Sequence, residues 1–142
     1  MNTVILQLMN RSQLIAVIAI IVLFTACFLP WMRIEEPAIT VTGMDTSGTR
    51  YGKPALVHFV LAAFILACTF INKIGAKRLN LLFAALNLAW AIRNFGVLPK
   101  CEGGICPEKL SGLYLVLMAA VILMITVLFP KEPPMKENGI GD

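Results

Sequence analysis

No aspartate or glutamate falls within any of the four long apolar runs of this 142-residue chain, and the whole sequence holds a single histidine. Proton-coupled transport needs a titrating group along its path, so the first absence counts against a small proton-driven pump. One histidine cannot by itself supply a pair of haem ligands or a set of zinc ligands. There is no Ser/His/Asp arrangement and no glycine-rich phosphate loop. The one adjacent carboxylate pair, Glu35-Glu36, reads as a solvated turn ahead of Pro37. Charge is scarce too: 14% of the residues are Asp, Glu, Lys or Arg, against about a quarter in soluble proteins. A large soluble catalytic domain is thereby excluded, and the sequence calls for no cofactor and no metal.

What the chain has in excess is apolar surface. Hydrophobic residues make up 58% of it, gathered into runs at Leu14 to Trp31, Pro54 to Ile71, Leu79 to Leu98 and Ser111 to Phe129. At a rise of about 1.5 Å per residue the first run alone reaches ~27 Å, enough to cross the hydrocarbon core. Pro54 suits a first helical position, where the missing N–H costs nothing, and Pro130-Lys131 stops the fourth run with an interfacial charge. The expected fold is an all-α membrane protein, a four-transmembrane-helix bundle over residues 1–131, followed by a flexible cytoplasmic tail over 132–142. Met1 to Asn10 is apolar enough to lie on the inner membrane surface or to extend the first helix. Phe24-Thr25-Ala26-Cys27 loosely resembles a lipoprotein processing site, but Phe28-Leu29-Pro30-Trp31 follows where a processed protein would turn polar, so the first run reads as an uncleaved helix.

Two signals orient the bundle. Lys73, Lys77 and Arg78 crowd the short second connection, which the positive-inside rule assigns to the cytoplasm together with both termini. The outer connections carry as many acidic as basic residues, so the net charge of +4 orients helices and implies no nucleic-acid partner. Cys101 and Cys106, spaced as CEGGIC in the third connection, suit a small disulfide-closed loop on an oxidising face. The first outer connection, Met32 to Lys53, is the longest. Its β-branched Ile39-Thr40-Val41-Thr42 and the turn glycines Gly43, Gly48 and Gly52 predict a small extracytoplasmic β-hairpin, seated on the helix ends or paired with a partner.

Helical spacing predicts which faces pack. Asn80, Ala84, Asn87, Ala91 and Asn94 form one stripe of small and amide side chains. Matching stripes are Ser12, Ala16, Ala19, Leu23 and Ala26 in the first run, Ala55, His58, Ala62, Ile65 and Thr69 in the second, and Gly112, Ala119 and Thr126 in the fourth. His58, ~6 Å below the outer end of its span, and Arg93, ~7.5 Å below its own, share a depth. An ionisable residue at that depth is a functional-site candidate by default, and either side chain could meet an anionic head group. His58, Arg93, Asn87, Asn94 and Trp90 are therefore the candidate ligand- or partner-binding residues, while Arg93 also lies near enough to the surface to snorkel.

In size, and in carrying cysteines at the outer membrane edge, the chain resembles four-span thiol oxidoreductases of the disulfide-forming and vitamin-K-reductase types. Those need a redox-active CxxC and a second cysteine pair, whereas here CxxxxC occurs once and Cys27 and Cys68 stand singly near opposite helix ends. A strand-like first outer loop after Trp31 resembles tetraspan junction proteins of the claudin type, without their cysteine pair in that loop. Neither likeness extends to membership. The sequence reads best as a multi-pass plasma-membrane protein, in contact with lipid, acting as a non-enzymatic accessory or partner-binding subunit beside other membrane subunits or copies of itself. An oligomeric transporter or channel lined by the asparagine stripe is the first alternative, and an outward-facing thiol oxidoreductase using Cys101 and Cys106 is the second.

Overall fold

The computed structural model describes residues 10–36 and 38–130. The expectations for Met1 to Met9 and for the tail beyond Pro130 lie outside the described residues. Four helices, α1 (Arg11–Phe28), α2 (Ala55–Thr69), α3 (Ile74–Val97) and α4 (Ser111–Leu128), accompany a three-stranded sheet of β1 (Pro30–Ile34), β2 (Ile39–Thr42) and β3 (Glu108–Lys109). Each helix packs against the next in sequence, and α4 closes the ring on α1. Of the four, α1 and α4 are long and apolar enough to cross a membrane.

The first helix ends earlier than its apolar run. Pro30 biases the residue before it away from helical backbone, and Leu29 is extended, with φ −74° and ψ 157°. Trp31, expected inside the span, instead belongs to β1. The third helix starts earlier than expected, at Ile74, so that Lys77 and Arg78 sit in its first turns and not in a free loop. Both are good helix formers with side chains long enough to reach solvent from a helix end.

The expected hairpin gains a strand from another part of the chain. β1 pairs antiparallel with β2 through Met32–Val41, Arg33–Thr40 and Ile34–Ile39. On its other edge β1 pairs with β3, contributed by the loop before α4, through Met32–Lys109 and Arg33–Glu108. The β1–β2 register slips between Pro30 and Met32, which leaves Trp31 as the extra residue of a bulge. Bulges re-aim a side chain, and this one turns Trp31 into the bundle, where it is wholly buried. Its indole Nε1 donates to the Ala26 carbonyl at 2.8 Å, an acceptor near the end of α1 that also takes the Leu29 N–H at 3.3 Å. Leu110 N–H in turn donates to the Trp31 carbonyl at 2.8 Å. One residue thus ties the sheet, the end of α1 and the start of α4 together.

Candidate functional site

The predicted stripes are the buried faces of the helices. Ala16, Ala19, Leu23 and Ala26 of α1, Ala55, Ala62 and Ile65 of α2, Ala84 and Ala91 of α3, and Ala119 and Ala120 of α4 are all buried. Alanines at this density let helix backbones approach closely. His58, Asn80, Asn87 and Asn94 are buried among them, so the interior is small and partly polar. Leu23, Ile65, Leu113 and Leu123 fill the interior beside them, but many large apolar side chains point outward: Ile18, Ile21, Val60, Phe64, Leu82, Ile92, Met118 and Ile125 are each at least half exposed.

The interior polar groups make few but specific contacts. His58 Nδ1 lies 2.7 Å from Asn87 Oδ1, which joins α2 to α3. With Asn87 Oδ1 as the acceptor, the His58 Nδ1–H is the donor. The Trp31 indole meets the His58 ring edge-on at a centroid distance of 6.3 Å. Two turns along α3, Asn80 Nδ2 donates to Thr69 Oγ1 at 3.2 Å, and Thr69 Oγ1 donates to Ile65 O at 2.7 Å. At the same end Gln13 Nε2 donates to Thr69 O, while Gln13 Oε1 accepts from the Asn10 amide at the start of α1. The Ser12 hydroxyl donates to Thr126 O in α4. His58 Nε2, Asn80 Oδ1, Asn87 Nδ2 and Asn94 Nδ2 are buried without a hydrogen-bond partner among the described residues. The column therefore keeps unpartnered polar atoms in reserve inside an otherwise apolar packing.

His58 and Arg93, expected at one depth, point in different directions. His58 faces the bundle axis, whereas Arg93 is on the exposed flank of α3, its guanidinium carbon 4.8 Å from the centre of the Trp90 ring. Trp90 is held by its own Nε1, which donates to Pro54 O at 3.0 Å across the α2–α3 seam. Trp90 and Arg93 close one end of an open apolar groove of about 360 Å³ between α2 and α3, whose remaining walls are Val57, Leu61, Leu86 and Ala89. Those four groove residues escaped the sequence reading. Their only signal was the spacing of Leu86, Ala89, Trp90 and Arg93 along one face of a helix.

At the sheet end, Cys101 and Cys106 are disulfide-bonded. Glu102 and Ile105 exchange both backbone hydrogen bonds at 3.0 Å around Gly103 and Gly104, whose φ values are 61° and 86°. Positive φ at both central positions marks a two-residue turn of the I′ class, and glycine adopts it without steric cost. Both cysteines are exposed, Cys27 is buried and Cys68 half-buried. In the connection between β2 and α2, the Ser47 hydroxyl and amide donate to Asp45 and hold its carboxyl below the usual value of 3.8. Among the described residues no three histidine, cysteine, aspartate or glutamate side chains gather as metal ligands. Compared with protein-family models, with curated proteins and with solved structures, the chain matches none of them.

Proposed function

We propose that the chain crosses the plasma membrane four times, with the sheet and the disulfide loop outside and both termini in the cytoplasm, and serves as a non-enzymatic accessory or partner-binding subunit of a membrane complex. The observation that carries this reading is the inverted distribution of side chains. Most of the alanines of the helix-facing stripes lie inside with His58, Asn80, Asn87 and Asn94 and a few aliphatic side chains such as Leu23, Ile65 and Leu123. Many large isoleucine, leucine, valine and phenylalanine side chains lie outside across the four helices. In water so many exposed large apolar side chains on four neighbouring helices would be unusual, since soluble monomers expose contiguous apolar patches of only about a few hundred Å². In lipid such a surface is the expected face, because helices there associate through small residues and internal hydrogen bonds.

The same distribution accounts for α2 and α3. Only 33% of the α1 span and 39% of the α4 span are buried, far less than in the core helix of a soluble protein. The asparagines that lower the hydropathy of α3 face inward and do not meet lipid. Helix α2 has 15 residues and spans ~22 Å, and its flanking residues extend it toward the ~30 Å hydrocarbon core.

Close packing supports an accessory role over a conduit. Asn87 is fully buried and Asn94 is 1% exposed, alongside fully buried Leu23 and Ile65, so the asparagine stripe is filled in by side chains. The surfaces left for a partner are the outer cap and the lipid-facing flanks. Blue-native separation of gently extracted membranes tests the proposal. The chain is expected in a complex well above its 15.5 kDa, and its loss is expected to lower the abundance of that complex. Recovery as a lone species with intrinsic solute flux in liposomes, or with thiol-exchange activity at Cys101 and Cys106, would replace this reading with one of the two alternatives.

A further inference from the structure

We propose that the α2–α3 groove is a binding site for one phospholipid of the outer leaflet, one of its acyl chains lying along Val57, Leu61, Leu86 and Ala89 and its phosphate held by Arg93. The proposal rests on the four-span reading. Its first support is shape, since the groove, about 360 Å³, falls in the ~300–1,000 Å³ range of ligand sites. Leu86 and Arg93 are two helical turns apart, roughly 10 Å along the axis. The walls are aliphatic except at the end formed by Trp90 and Arg93.

The second support is charge complementarity. Arg93 stands one turn before the end of α3 at Val97, the level at which an arginine reaches from the hydrocarbon to the head-group region. None of the four helices contains an aspartate or glutamate. Among the described residues the guanidinium has the Trp90 ring as a neighbour and no carboxylate. A guanidinium presents a planar fork of donors that matches phosphate oxygens.

The third support is preorganisation. The bond from Trp90 Nε1 to Pro54 O fixes the indole, and the indole in turn provides a platform for the guanidinium. A phosphate arriving there meets a cation already oriented. The acyl chain meets a rigid trough between two helices whose contact is locked by the His58–Asn87 bond.

The experiment uses the full chain purified in detergent, delipidated stepwise, with bound lipid counted by native mass spectrometry against added dioleoylphosphatidylglycerol. One phospholipid per chain is expected to persist longest. Arg93→Gln, which removes the charge, is expected to weaken its retention about tenfold, the loss typical of a charge-assisted contact, and Ala89→Phe, which fills the trough, is expected to weaken it comparably by excluding the chain. Arg93→Lys is expected to retain part of the affinity. Dioleoylglycerol, which lacks the phosphate, is expected not to displace the phospholipid, and glycerol 1-phosphate, which lacks the chains, is expected not to bind measurably. Unchanged helix content by circular dichroism shows that the variants fold; both substituted positions are exposed. Retention by Arg93→Gln or Ala89→Phe equal to the parent, or full displacement by dioleoylglycerol, overturns the site. Failure of the membrane reading shows itself separately, as extraction of the chain from native membranes by alkaline carbonate.

Discussion

Gly112 and Gly43 show how single residues hold the cap on the bundle. A Cβ added at Gly112 would stand 2.6 Å from Pro30 O and 2.9 Å from Trp31 Cδ1, and one at Gly43 would stand 2.5 Å from Trp31 Cζ2 and 2.8 Å from Cys27 O. Both glycines are there because the Trp31 indole and the chain beside it leave no room. Gly112→Ala is expected to lower stability by about 1–3 kcal/mol, since backbone atoms must move to admit the methyl group. Gly96→Ala, in a helix and with nothing within 4 Å of the new carbon, is expected to be neutral or to stabilise by up to about 1 kcal/mol. Thermal midpoints of the detergent-solubilised variants check both. A second residue-scale expectation concerns His58 and Asn87. A double-mutant cycle with His58→Ala and Asn87→Ala, followed by detergent denaturation, is expected to give a coupling of about 1 kcal/mol, between the ~0.6 kcal/mol average and the ~1.7 kcal/mol maximum found for polar pairs in membrane helices. Zero coupling would mean that the two side chains do not bond. The burial of these residues was legible from their spacing with alanines, because the helical repeat dictates which side chains share a face. Their pairing was not, because the rotation of α2 against α3 depends on packing between distant parts of the chain.

At the scale of elements, the helices were legible and their ends less so. Residue composition marks an apolar run, whereas termination depends on local backbone chemistry, as at Leu29 ahead of Pro30. Strand β2 was visible in its β-branched residues. β1 straddled the end of the first apolar run and the start of the outer connection, and β3 could not be read at all, since two residues such as Glu108 and Lys109 become a strand only by meeting β1. The loop that carries β3 leads to a third expectation. The I′ turn at Gly103-Gly104 already brings Cys101 and Cys106 opposite each other, with Cα atoms 4.1 Å apart. Chain-entropy reasoning for so short a ring gives at most about 2 kcal/mol, and a turn that closes unaided lowers the benefit further. Replacing both cysteines with serine is therefore expected to reduce the thermal midpoint by a few degrees, while helix content and partner binding persist. Loss of all cellular function at undiminished abundance, with a native pair that exchanges near the glutathione potential, would instead mark the bond as redox-active.

For the whole molecule, the alternation of helix direction sorts charge between two ends. Arg11 at the start of α1 and Lys73, Lys77 and Arg78 around the start of α3 lie at the end where Gln13 meets Thr69 and Ser12 meets Thr126. The sheet and the disulfide loop occupy the other end, where acidic and basic residues balance. The positive-inside bias acts on short connections close to the helix ends, which is where Lys73, Lys77 and Arg78 are. On the four-span proposal, the segments before α1 and after α4 lie on the same, cytoplasmic side, and an oxidising exterior would agree with a formed Cys101–Cys106 bond. Gly75 is a suitable reporter for the basic end, since it is exposed and a side chain there meets nothing within 4 Å. Arg50, exposed in the connection between β2 and α2, reports on the other end. In a background with Cys68→Ser, a cysteine placed by Arg50→Cys is expected to react with a membrane-impermeant maleimide in intact cells. One placed by Gly75→Cys is expected to react only after permeabilisation. The reverse pattern would invert the molecule and put the disulfide on the reducing side. Reaction at both positions in intact cells would mean that α2 does not cross, and the apolar flanks of α2 and α3 would then need a protein partner in place of lipid.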